Sequence, residues 1–189
     1  MKKRIFAAVD ISVEARRRVA GYISELKKDF SDLRVGWERP EKLHLTLKFF
    51  GDTDAAQLEK LKEAAESLAG RFSNMRFRIS KTGVFPSARN ARVLWLGVEG
   101  DVEKLREMNA FLENEGEKFG FRKENRTYRP HLTIARIREP HRAKPLVEAH
   151  LASEFEPAEF EASELVIYES RLQPTGSVYK KVSGFGFRK

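Results

Sequence analysis

A tetrapeptide of one form, histidine–hydrophobic–threonine–hydrophobic, occurs twice in this chain, as His44-Leu45-Thr46-Leu47 and as His131-Leu132-Thr133-Ile134. Each copy lies in a segment that reads as a β-strand. Strand geometry then fixes the neighbours, because side chains at i and i+2 share one face while those at i+1 and i+3 share the other. His44 and Thr46 therefore point together, as do His131 and Thr133, while Leu45, Leu47, Leu132 and Ile134 anchor the opposite faces in a core. If an approximate two-fold axis relates the two strands, both His/Thr pairs face one cleft.

The rest of the chain alternates strand and helix signals. Arg4 to Ile11 reads as a buried strand, and Ser12 offers an N-cap oxygen to a helix whose apolar stripe is Val19, Ile23, Leu26 and Phe30. A strand from Leu43 to Phe50 stops at Gly51-Asp52. Leu58, Leu61, Ala65 and Leu68 then mark a helix closed by Gly70. Arg76 to Val84 and Arg92 to Val98 flank a turn-rich segment and suggest a hairpin, and a helix follows over Val102 to Phe119. After Gly120 the pattern runs as a strand from Tyr128 to Ile137, a short helix from Ala143 to Leu151, and strands over Phe160 to Tyr168 and Val178 to Val182. Short connections favour mixed, largely antiparallel sheets over a doubly wound parallel one. The expectation is an α/β fold of two similar lobes, with residues 1–189 forming one bilobal domain.

Composition removes several chemistries. The 189 residues include no cysteine, which excludes disulfides, thiol nucleophiles, zinc knuckles and iron–sulfur clusters. Lys and Arg number 36 against 28 Asp and Glu, a formal charge of +8 that favours an anionic partner such as RNA, DNA or a nucleotide. Ile5 to Val9 is too short an apolar run for a membrane span or a secretory signal, so a soluble, cytoplasmic protein with no membrane partner is expected.

Two imidazoles with ordinary pKa values near ~6.5 suit a reaction that needs one neutral base and one protonated acid at neutral pH. Phosphodiester cleavage is such a reaction. One histidine deprotonates the attacking oxygen, the other protonates the departing one, and the threonine hydroxyls donate to nonbridging oxygens whose charge grows in the transition state. The scheme needs neither metal nor cofactor, and the sequence carries no P-loop, no H-E-x-x-H and no compact acidic cluster. For one isolated H-x-T the plainer interpretation is a satisfied polar side chain beside a threonine chosen for β-propensity. Its recurrence favours chemistry.

With these motifs stand Arg4-Ile-Phe-Ala-Ala-Val-Asp10, Lys42-Leu-His-Leu-Thr-Leu-Lys-Phe-Phe-Gly51, Gly83-Val-Phe-Pro86, Arg92-Val-Leu-Trp-Leu-Gly97 and Arg129-Pro-His-Leu-Thr-Ile-Ala-Arg136. In this company the chain resembles the two-histidine, HxTx phosphoesterases, specifically the RNA 2′,3′-cyclic phosphodiesterases also called 2′-5′ RNA ligases, over nearly its whole length. The resemblance implies a bilobal fold with both HxTx strands lining a central cleft. It further implies hydrolysis of a terminal 2′,3′-cyclic phosphate to a 2′-phosphate, with His44 as proton donor and His131 as proton acceptor, and 2′-5′ joining of RNA ends as a second activity. RNA ends, tRNA fragments among them, become the expected substrate, and a monomer the expected unit.

Four other residues are candidates for substrate contact. Arg129 and Tyr128 lead into the second motif, in a basic stretch where Arg122, Lys123 and Arg126 are interleaved with Phe121 and Tyr128 and can track an RNA backbone while an aromatic stacks a base. A solvated loop explains that stretch equally well. Lys48 shares the parity of His44 and Thr46 and is expected at the cleft. Arg136 should face away from His131 on a regular strand, unless a bend redirects it towards a phosphate. Arg16-Arg17-Arg18 reads as the exposed face of the first helix, and His141 and His150, without a partner threonine, read as surface residues. The alternatives to an RNA-end phosphodiesterase are a phosphodiesterase of a small cyclic nucleotide and a non-catalytic basic RNA-binding module.

Overall fold

The computed structural model describes residues 2–174 and 176–188. Among these residues nine strands form two sheets. The first contains β3 (His44–Thr53), β1 (Lys3–Asp10), β8 (Glu164–Gln173) and β9 (Gly176–Gly186), in that order. The second runs β2 (Val35–Trp37), β6 (His131–Ile137), β5 (Val93–Gly100), β4 (Met75–Phe85) and β7 (Ala158–Ala162). Every pairing between these strands is antiparallel, as the short connections suggest.

Among the described residues four α-helices cover the sheets, and the first three carry local signals. α1 (Val13–Asp29) starts where the Ser12 hydroxyl accepts from the Ala15 amide at 3.1 Å, and it buries Ala15, Val19, Ile23 and Leu26. α2 (Ala55–Ala69) begins with a capping box, Asp54 accepting from the Gln57 amide and Gln57 accepting from the Asp54 amide. α3 (Val102–Lys118) buries Leu105, Met108 and Leu112 and ends before Gly120, whose φ of 87° is the left-handed conformation a helix exit requires. α4 spans Lys144–Ala152. The chain crosses over as it folds: α2 and α3 lie against the first sheet, while α1 and α4 lie against the second.

This arrangement has internal symmetry. The unit β1–α1–β3–α2 is matched by β5–α3–β6–α4, and β3 beside β1 corresponds to β6 beside β5. Each histidine strand therefore occupies the same place in its own half, and β3 and β6 approach one another.

Three expectations need correction. The strand anticipated over Phe160 to Tyr168 is two strands broken at Ser163, β7 in the second sheet and β8 in the first, because the chain passes between sheets there. β3 continues past Gly51, whose φ of 76° is accommodated within the strand at an irregularity of the β1 pairing. His150 is not on the surface: it is 0% exposed. Its Nδ1 accepts from the Tyr22 hydroxyl at 2.8 Å, and its Nε2–H is shared between the carbonyls of Gly83 and Trp95 at 3.1 and 3.2 Å, so it ties α4 to α1 and to the β4–β5 hairpin.

Burial, opposed by those two carbonyls, holds the His150 pKa below 6.5. The folded protein thus prefers the neutral ring, so this stabilisation is complete above pH 6.5 and is lost as pH falls through the lowered value. Between pH 6.5 and 5 the free energy of unfolding should change less steeply with pH in His150→Gln than in the native chain, by at most ~1.4 kcal/mol per pH unit. Parallel chemical denaturation series check this, and identical slopes refute it.

Candidate active site

Both histidines stand at the first position of their strands, and each ring has a main-chain carbonyl beside it. His131 Nδ1 lies 2.7 Å from the carbonyl of Arg129, two residues earlier. The carbonyl of Lys42, also two residues earlier, takes the corresponding place beside the His44 ring and favours its protonated form. A carbonyl only accepts, so Nδ1 of His131 carries the proton and the neutral ring presents its Nε2 lone pair. His44 Nε2 lies 3.0 Å from Thr46 Oγ1. With the Lys42 carbonyl drawing the proton to the other ring nitrogen, the Thr46 hydroxyl donates to that Nε2.

Aromatic rings wall each imidazole. Phe6 stacks on His44 at 5.0 Å between centroids, with Tyr168 at 6.0 Å and the edge of Tyr179 at 5.4 Å. Phe85 meets His131 edge-on at 5.0 Å, and Trp95 lies at 6.3 Å. Desolvation by these walls pulls His44 down to about 4, opposed by the Lys42 carbonyl and reinforced by the charges of Arg16 and Arg136. His131 is lowered by burial as well, opposed by the Arg129 carbonyl and reinforced by Arg136. Arg136 thus acts on both rings. Both histidines are neutral at pH 7 until an anion arrives to offset this.

Arg136 reaches the site because β6 is not regular. Thr133 pairs with Trp95 and Ala135 with Leu94, leaving Ile134 as an extra residue, a β-bulge. Ile134 and Ala135 are both buried, and the alternation restarts with Arg136 on the exposed face shared by His131 and Thr133. Its nearest acid is Glu38, at 3.7 Å. The bend that regular parity leaves open is therefore present.

The same irregularity at the same offset displaces Lys48. Thr46 pairs with Ala8 and Lys48 with Ala7, so Leu47 is the extra residue, and Leu47 and Lys48 both turn inward. Lys48 is 4% exposed and donates to Glu113 at 2.5 Å and to the Arg122 carbonyl at 3.3 Å. The expectation that it faces the cleft is overturned. Phe49 takes the exposed place instead, equivalent to that of Arg136 in the other half.

Tyr128 also departs from expectation as a stacking residue. Its ring packs against the core and its hydroxyl donates to the Thr46 carbonyl at 2.9 Å, with its pKa raised by burial. It braces β3 against the segment entering β6. Phe121 is buried. Arg129 is exposed, and its main-chain carbonyl is what orients His131. Thr133 sits beside His131 on the partly open face of β6. His141 lies in the 3-10 turn Pro140–Arg142, exposed as expected. The aromatic walls and Glu38 carry no local sequence signal: they come from β1, β8, β9, the β4–β5 hairpin and the loop after β2. Among the described residues, no cluster of three or more His, Asp or Glu is placed to hold a metal ion.

The model of the LigT-like phosphoesterases matches this sequence twice, over residues 9–95 and 96–179, so that each match contains one histidine strand. The chain belongs to that family. The division falls within β5, close to the start of the second of the two matched units of the fold. This LigT-like chain is 36% identical to an RNA 2′,3′-cyclic phosphodiesterase of Methanothermobacter thermautotrophicus, over 98% of the chain and 99% of that protein. It is 34% identical to the Thermotoga maritima protein of the same name, over 94% and 91% respectively. Among solved structures it shares the fold of a Thermus thermophilus protein (TM-score 0.80, 24% identity, 98% of both chains) and of Escherichia coli LigT with 3′-AMP (TM-score 0.74, 24% identity, 100% of both).

Proposed function

We propose that this chain hydrolyses the 2′,3′-cyclic phosphate at an RNA end to a 2′-phosphate, with His131 as base, His44 as acid, and Thr46, Thr133 and Arg136 holding the phosphate. The observation that carries the reading is the repeated geometry of the histidines: each opens its strand, the two strands occupy equivalent places and approach one another, and each ring stands beside the threonine two residues on and within reach of one arginine. Names borne by relatives at 36% and 34% identity supply the substrate class.

His131 Nε2, free of a proton, takes one from water as the water oxygen bonds to phosphorus. The bond from phosphorus to the 3′-oxygen breaks on the opposite side, and His44 Nε2–H protonates that oxygen to give the 3′-hydroxyl. In the free protein Thr46 donates to His44 Nε2; when the substrate anion draws a proton onto that nitrogen, the hydroxyl is released to donate to a nonbridging oxygen. Arg136 offsets the phosphate charge as it grows. The scheme contains no metal or cofactor step. Joining of ends through a 2′-5′ linkage is the same displacement with a 5′-hydroxyl in place of water: its oxygen bonds to phosphorus as its proton passes to His131, and the bond to the 3′-oxygen breaks to give the 3′-hydroxyl. Both halves of the site come from one polypeptide, which supports a monomer acting as a single bilobal unit. Among the described residues no helix is long and apolar enough to cross a membrane. Cytoplasmic RNA fragments, including those of tRNA, fit the reading.

An RNA oligonucleotide ending in a 2′,3′-cyclic phosphate, incubated with and without chelator, tests it. The product should be the 2′-phosphate in both arms; a 3′-phosphate, or a reaction abolished by chelator, overturns the scheme. The pH dependence of kcat/KM should be bell-shaped with its maximum below 6.5, because it reports the free protein, in which the acid is pulled down to about 4 and the base is also lowered. The kcat profile should lie at higher pH, since bound phosphate favours both protonated rings. A kcat/KM that climbs steadily to pH 8 contradicts this pairing.

A further inference from the structure

Beside the histidine cleft lies a cavity of about 510 Å³ between β3, α3 and the segment entering β6. It is lined by Phe49, Arg122, Lys123, Arg126 and Tyr128, with the Lys48–Glu113 pair and Asn109 at its base. We propose that this groove binds the single-stranded body of the RNA, with Phe49 as the stacking surface, so that the site acts on the ends of oligonucleotides in preference to mononucleotides. This deepens the function proposed above and rests on it.

Three observations converge. Phe49 is 48% exposed, an unusual position for a ring of that size. The bulge at Leu47 puts it there, and it continues a row of rings that begins at the site, stacking on Phe6 at 6.2 Å while Phe6 stacks on His44. The row forms a platform whose outer ring, Phe49, is half-exposed. Arg4 lies over the Phe49 ring at 5.3 Å, so the platform has a cation beside it.

The charge of the groove fits a phosphate backbone. Lys48 is paired with Glu113, Arg126 stands 3.9 Å from Glu124, and Lys123 reaches Asn114 at 2.7 Å and Glu117, which lies outside the lining, at 3.8 Å; the lining itself carries four cations, Lys48, Arg122, Lys123 and Arg126, against the two acids Glu113 and Glu124. Basic side chains beside an exposed ring are the combination that holds single strands without base readout. The main chain of the basic segment is fixed, since Glu113 also accepts from the Glu124 amide at 3.0 Å and Tyr128 is tied to Thr46.

The two halves also give the strand a direction. At equivalent places the second half presents Arg136 and the first presents Phe49, so the phosphate end faces the arginine and the preceding bases lie towards Phe49. Three residues separate Phe49 from Thr46, roughly 10 Å along a strand, comparable with about three stacked nucleotides at ~3.4 Å each. Length dependence should therefore level off after about three to four nucleotides.

The experiment compares the native chain with Arg122→Glu/Arg126→Glu, Phe49→Ala and Phe49→Trp. Binding of a fluorescein-labelled hexaribonucleotide is followed by anisotropy between 50 and 200 mM salt, and kcat/KM is measured on a cyclic-ended mononucleotide and a cyclic-ended tetranucleotide. Phe49→Ala should weaken hexamer binding on the order of tenfold, and Phe49→Trp should restore it. The double charge reversal should flatten the slope of log K against log salt by about 1.4 or more, at ~0.7 for each lost phosphate contact. In both weakened variants the preference for tetranucleotide over mononucleotide should shrink. Unchanged hexamer affinity and salt slope, or a native chain that turns over both substrates alike, overturns the groove. A native chain that binds the hexamer through these residues but hydrolyses neither substrate removes the proposed function and leaves the groove standing.

Discussion

Replacing His131 with alanine lowers kcat/KM for a cyclic-ended RNA by about 10²–10⁴-fold, the usual contribution of a positioned general base, with hexanucleotide binding retained. His44→Ala loses a similar amount. The double variant falls little further, because acid and base act in one step and the loss of either disables it. Steady-state kinetics on the three variants, with binding measured in parallel, checks this. Two properties of the site motivate the size of the effect. His131 Nδ1 is committed to the Arg129 carbonyl at 2.7 Å, which leaves Nε2 as the only lone pair the ring can offer, and no other titratable group on the face of β6 can take its place. A pure RNA-binding module would keep its function in all three variants, and activity surviving in His131→Ala would refute the assignment.

The second large effect concerns stability. Lys48→Ala should reduce the free energy of unfolding by about 3–5 kcal/mol, because it leaves the Glu113 carboxylate buried without its partner. The two side chains are 2% and 9% exposed and meet at 2.5 Å, and Glu113 has only the Glu124 amide left to satisfy it. Lys48→Met combined with Glu113→Leu should recover most of the loss, since an apolar pair of similar volume avoids stranding a charge. Urea denaturation of the single and double variants distinguishes this from an ordinary cavity. If the single variant lies within 0.5 kcal/mol of the native chain, or the double falls as far as the single, the pair is not holding this junction, contrary to expectation. The pair joins β3, α3 and the segment that carries the Arg129 carbonyl, so the single variant should also turn over RNA more slowly at temperatures where it is still folded.

Much of this site can be read from the chain alone. The period-two pattern around His44 and His131 places each with its threonine on an open face, and the structure has Leu45, Leu47, Leu132 and Ile134 buried behind them. Helix positions follow equally directly, since Ser12, Gly70 and Gly120 are local signals with local causes. His150, without a partner threonine, reads as a surface residue, whereas its three hydrogen-bond partners come from α1, β4 and β5, which no local pattern reveals.

What the sequence alone determined is therefore everything that depends on a single element: the twin strands, the faces their histidines and threonines occupy, the helix boundaries and the absence of thiol chemistry. Tertiary structure decided which residues join the histidines. Parity along a strand assumes one-to-one pairing with its neighbour, and a bulge is a property of the pair. The extra residues Leu47 and Ile134 arise only against β1 and β5, and they turn Lys48 into the core while turning Phe49 and Arg136 out.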